Sequence, residues 1–97
     1  MWKQLNTLGT IGCENGKILA DEEYEESCRI TLEKCERYYA VTCGVYGSML
    51  YTAFTDEANC WEIYNAMKSD LQKFIDNMEC MLDNEIMNFY DKFTGMY

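Results

Sequence analysis

Proline is absent from this chain, and glycine is confined almost wholly to its first half. The glycines fall at 9, 12, 16, 44, 47 and 95, so neither residue interrupts the stretch from Ser48 to Thr94. These two residues are the strongest local punctuators of a backbone: glycine accepts positive φ, and proline has no N–H to give a helix or ladder. Their distribution divides the 97 residues into a turn-rich part, 1–55, and an uninterrupted helical part, 56–97. A length near 100 residues makes a single domain. With 48% hydrophobic and 26% charged residues, its composition is that of a folded chain and not of a disordered acidic tail.

In the first part, period-two patterns dominate. Cys28, Ile30 and Leu32 alternate with Arg29, Thr31 and Glu33, as a half-buried strand requires. Tyr38–Tyr46 is rich in β-branched and aromatic residues, with Tyr39, Val41, Cys43 and Val45 as its more apolar face. After Gly47-Ser48, the run Met49–Phe54 reads as a further strand. Asn15-Gly16 is a type I′ turn signal, which predicts a hairpin between Thr10–Cys13 and Lys17–Ala20. Trp2, Leu5 and Leu8 are spaced for a short helix before it. Short runs with short links predict an antiparallel meander of three to five strands.

In the second part, Thr55 or Asp56 is placed to cap a helix whose apolar seam is Cys60, Tyr64, Met67, Leu71, Phe74, Met78 and Met81. Asp76 and Glu79 have capping-box spacing, and a second seam follows at Leu82, Ile86, Phe89 and Phe93. As one helix, 56–94 would reach about 58 Å. A seven-residue strand covers only about 23 Å. Either the chain bends back near Asp76–Asn84, or the overhang packs against a second copy. The fold class expected is therefore α+β: a short antiparallel meander packed against a C-terminal helix or helices.

Six cysteines stand at 13, 28, 35, 43, 60 and 80, with no Cys-x-x-Cys pair. The first residues carry neither a signal-peptide apolar run nor a small-residue cleavage site, and no 18-residue apolar stretch occurs. The expectation is a cytoplasmic protein whose thiols stay reduced and mostly serve as small apolar side chains. Cys13, Cys35 and Cys80, off the main seams, are the candidates for a thiol sensor. Histidine is absent, which removes the usual general base and the usual metal ligand. No phosphate loop is present, and Asp21–Glu26 lacks the glycine of a calcium loop. The reading is not an enzyme, with no cofactor and no metal.

The charge is the informative feature. The chain holds 17 acids and 8 bases, a net −9, which opposes approach to nucleic acid or an anionic membrane. Residues 21–26 carry five acids and no base, and residues 76–91 carry another five and no base. The remaining acids and bases nearly cancel. In an extended strand Asp21, Glu23 and Glu25 would project to one side at about 6.7 Å intervals. On a helix Asp76, Glu79 and Asp83 would stack on one face. Such rows match a phosphate backbone in sign and approximate repeat, so a basic groove built for nucleic acid would accept them.

In size, acidity and element order the chain resembles small acidic anti-CRISPR proteins, several of which block nucleic-acid sites on a nuclease complex. Small acidic immunity proteins against toxin nucleases are resembled on the same grounds. The resemblance implies an inhibitor that occupies a basic protein surface. The contacts expected from the charge clusters are Asp21, Glu22, Glu23, Tyr24, Glu25 and Glu26 on one patch, and Asp76, Glu79 and Asp83 on another, with Tyr24 as an aromatic anchor. The alternative is a homodimeric adaptor module joined through Leu82, Ile86, Phe89 and Phe93.

Overall fold

The computed structural model describes residues 1–97. Strands β1 (Trp2–Gln4), β2 (Lys17–Tyr24), β3 (Cys28–Lys34), β4 (Tyr39–Val45) and β5 (Met49–Thr55) precede helix α1 (Cys60–Asn77), a 3-10 turn (Met78–Cys80) and helix α2 (Asp83–Met96). The strands form one antiparallel sheet in the order β1-β2-β3-β4-β5. Each strand thus pairs with its neighbour in sequence, giving the meander that short links dictate, and both helices follow it in an α+β arrangement.

Alternation sorts the strands into two faces. Cys28, Ile30 and Leu32 lie opposite Val45, Cys43 and Val41 and turn to the helix side. There they meet Cys60, Tyr64, Met67, Leu71 and Phe74, the buried stripe of α1. These are the first five positions of the predicted seam. Burying each large side chain contributes roughly 1.5–3 kcal/mol relative to leaving it in water. At 18 residues α1 runs about 27 Å, close to the reach of the strands beneath it.

The chain then bends back. Met81 and Leu82 are extended, and the Leu82 N–H donates to the Glu85 carboxylate at 3.0 Å to open α2. The helix restart is therefore secured by Glu85, six residues beyond the predicted Glu79; Asp76 still lies within α1, so it does not cap a new helix. Along α2, Phe89 stacks on Phe74 with centroids 4.1 Å apart, and Phe93 packs on Tyr51 of β5. Of the seam considered for a dimer, Phe93 is buried, Phe89 and Ile86 are partly buried, and Leu82 is exposed. Most of that seam closes the chain's own core.

Two local expectations are corrected. Trp2–Gln4 is an edge strand, not a helix, with Trp2 opposite Tyr24. An extended backbone lets the indole pack on Tyr24 and donate its N–H to Gln72 of α1 at 2.9 Å. Asn15 does turn with φ 64°, yet Thr10–Cys13 is no strand and makes a single bridge, Ile11 to Lys17. Instead, residues 5–16 cross the sheet face away from the helices. The fully buried Glu33 carboxylate holds them there, accepting the N–H groups of Glu14 and Gly16 at 3.2 and 3.3 Å. Gly12 and Gly16 permit the approach: a Cβ at Gly12 would stand 2.3 Å from Glu33 Oε1, and one at Gly16 would stand 2.6 Å from Cys35 Sγ.

Candidate functional site

The acidic run 21–26 does not present its carboxylates together. Period two sends Asp21 and Glu22 to opposite faces of the sheet. Asp21 is fully buried. It accepts Arg29 Nε at 2.8 Å and Nη2 at 2.5 Å, Thr7 Oγ1 at 2.5 Å and Thr31 Oγ1 at 3.2 Å. Burial alone would raise its pKa, but the Arg29 guanidinium and the two hydroxyls outweigh that and hold it below the ordinary value. Glu22 turns toward α1, where it accepts the Tyr64 hydroxyl at 2.5 Å and the Lys68 ammonium at 2.9 Å. Tyr24 is buried, its ring against Trp2 and within the core. Three of the residues expected at a partner surface are thus built into the fold.

Most of the others converge. The Tyr24 hydroxyl donates to Asp76 Oδ1 at 2.5 Å, pinning the end of β2 to the end of α1. That bond to the carboxylate, with burial, pushes Tyr24 up to about 12. The turn Glu25-Glu26 and the segment Asp76–Glu79 are therefore brought to one end of the molecule. Glu25, Glu26, Asp76, Glu79 and Asp83 are exposed, whereas Glu23 is half-buried on the sheet face away from the helices, across from Lys3 on β1 and Arg29 on β3. The molecule has three ion pairs: Arg29 with Asp21, Lys68 with Glu22, and the N-terminal ammonium with Glu25. None of Glu23, Glu26, Asp76, Glu79 and Asp83 makes an ion pair. Glu23 instead accepts the Tyr46 hydroxyl at 2.5 Å.

Two of these placements run against local preference. Glu25 and Glu26 carry φ of 52° and 56° in the β2–β3 turn, closed by Ser27 N–H to the Tyr24 carbonyl at 2.9 Å. A turn with positive φ at both central residues favours Asn and Gly, not glutamate. Asp76 sits in the last turn of α1, which holds no base, at the negative end of the helix dipole. The end of the molecule thus keeps carboxylates at positions where backbone and dipole disfavour them.

The opposite face carries a cavity of about 750 Å³ between residues 7–13 and the β4–β5 turn, with Ile11, Arg29, Thr42, Gly44 and Leu50 in its walls. Its polar groups are largely engaged. Thr7, Thr31 and Arg29 bond Asp21, and Thr42 bonds Thr52 at 3.1 Å. All six cysteines are free. Burial pushes Cys28 up to about 11 and Cys43 up to about 12, and also raises Cys35. Of the proposed sensor thiols, Cys13 and Cys80 are exposed, and Cys35 is half-buried and directed at the Glu14 carbonyl. No helix is long and apolar enough to cross a membrane. Comparison with protein-family models, curated proteins and solved structures finds no match.

Proposed function

We propose that this chain is a small binding protein that inhibits a nucleic-acid-handling protein, such as a nuclease complex, by occupying its basic surface. Its contact is the acidic end formed by Glu25, Glu26, Asp76, Glu79 and Asp83. The observation that carries the reading is the Tyr24–Asp76 hydrogen bond, which brings together two acidic segments 52 residues apart, where Glu26, Asp76, Glu79 and Asp83 are exposed and make no ion pair. A single exposed ion pair is worth about 0–1 kcal/mol. Several carboxylates gathered on one end act instead through their summed field, raising the encounter rate with a cationic groove and imposing salt dependence.

The test uses two variants against a panel of purified CRISPR nuclease complexes and toxin nucleases, read by surface binding and by nuclease inhibition. Glu26→Lys with Glu79→Lys and Asp83→Lys changes three exposed side chains that make no side-chain hydrogen bond or ion pair within the fold. Glu25→Asn with Glu26→Gly suits the turn better and raises stability while removing two carboxylates. Binding to a member of the panel that weakens at high salt and falls at least tenfold in both variants supports the reading. No binding to any member, or binding unchanged in both variants, overturns it.

A further inference from the structure

We infer that β5 is a docking edge for a second copy of this chain, forming a two-fold antiparallel dimer with its axis at Thr52. The two edges of the sheet differ. β1 is three residues long and carries Lys3, a short charged edge of the kind that resists further pairing. β5 is seven residues long, Met-Leu-Tyr-Thr-Ala-Phe-Thr, with no charge, proline or glycine. Its register with β4 is continuous from Met49 to Thr55, without a bulge. No backbone bond outside the ladder involves Leu50–Thr55, so the free side of the strand has no partner in the chain. Backbone donors and acceptors in such a row are a template for another strand.

The side chains favour a second copy over an unrelated strand because β5 complements itself. Pairing about Thr52 sets Leu50 opposite Phe54 of the second copy, Tyr51 opposite Ala53, and Thr52 opposite Thr52. Leu50 and Phe54 are 79% and 62% exposed on the face away from the helices. Each then meets an apolar residue, while on the helix side a large residue meets a small one. A two-fold pairing closes, and the outer edges left over are the two short β1 strands, so assembly stops at two.

Magnitude sets the class of dimer. An aromatic side chain can bury about 150–250 Å², so Phe54 has roughly 90–150 Å² left to cover, and Leu50 a similar amount. Over both copies this gives side-chain area on the order of 400–500 Å², below the roughly 1,200–2,000 Å² of stable complexes. The dimer is therefore weak and concentration-dependent. Two chains of −9 also repel, so added salt strengthens it, the opposite sign to capture of a cationic partner.

Sedimentation velocity from about 5 to about 500 µM, at about 0.15 and 0.5 M NaCl, reads the equilibrium. The wild type shifts from monomer to dimer as concentration rises, and more readily at the higher salt. Thr52→Lys alone and Thr52→Asp alone stay monomeric, because like charges meet at the axis. Mixed in equal amounts they recover a dimer, because opposite charges meet there. Leu50→Lys, at an exposed position, is a second disrupting variant, and circular dichroism confirms that each variant folds. A wild type that stays monomeric throughout, a dimer that survives Thr52→Lys and Leu50→Lys, or a mixture that stays monomeric overturns the inference.

Discussion

Replacing Arg29 by methionine tests the interior electrostatics most directly. The substitution keeps much of the apolar stem and removes the guanidinium from a carboxylate with no exposed surface. Breaking a buried pair by deleting one partner costs about 3–5 kcal/mol, since the remaining charge is left uncompensated. Two features reduce that figure here. The Arg29 side chain is 42% exposed, so part of its charge was already screened. Thr7 and Thr31 also continue to donate to Asp21. We expect a loss of about 2–3 kcal/mol at pH 7, a substantial share of the roughly 5–15 kcal/mol that a domain of this size holds.

The pH dependence gives the same prediction a sign. The pKa of Asp21 is lowered in the folded wild type. Its contribution is therefore present above the unfolded value of 3.8 and is lost as pH falls through the folded value. In Arg29→Met the opposing guanidinium is gone, burial raises the folded pKa, and the carboxyl takes up a proton on acidification. The stability gap between wild type and variant should therefore narrow as pH falls from 7 toward 3. Urea unfolding followed by tryptophan fluorescence and circular dichroism at several pH values measures it. A loss below about 0.5 kcal/mol, or a gap constant with pH, would refute the assignment of Asp21 as an internal, guanidinium-stabilised carboxylate.

Three further outcomes are expected. Leu71→Ala, at a fully buried position of α1, should cost about 2–5 kcal/mol in chemical denaturation without changing the turns at the acidic end. Gly12→Ala should destabilise by about 1–3 kcal/mol, because its methyl would enter the Glu33 carboxylate, whereas Gly95→Ala in α2 meets nothing within 4 Å and should stabilise by up to about 1 kcal/mol; thermal melts of the pair give opposite signs. Tyr24 and Tyr46 are each pushed up to about 12, so their contribution holds below pH 10 and is lost between pH 10 and 12; the tyrosinate absorbance lost in Tyr24→Phe and in Tyr46→Phe, relative to wild type, isolates these two of the eight tyrosines, and a difference signal already complete at pH 10 with the fold intact contradicts it.

Features set by local periodicity were readable before the structure. The alternation Cys28-Ile30-Leu32 defines β3, and the four-and-three spacing from Cys60 to Phe74 defines the buried stripe of α1, because a strand and a helix each repeat at their own interval. The path of residues 5–16 was not readable, because it depends on the Glu33 carboxylate capturing backbone N–H groups some 17–19 residues away. The acidic site divides in the same manner. Its composition is written in two local runs, but its assembly depends on Tyr24 meeting Asp76, a contact with no local signature. One signal was available: strand alternation already forbids Asp21 and Glu22 from facing one partner together.

The neighbour-to-neighbour sheet also sets how the chain reaches this state. Three residues separate β2 from β3, four separate β3 from β4, and three separate β4 from β5, so each pairing closes only a small loop and spends little chain entropy. Local strand pairing of this kind favours rapid formation of the hairpins. The sheet can grow hairpin by hairpin, while α1 has no complete surface to settle on until β3 and β4 have met. Docking of the helices is thereby the late, long-range step, and weakening their seat should hasten unfolding far more than it slows the first hairpins.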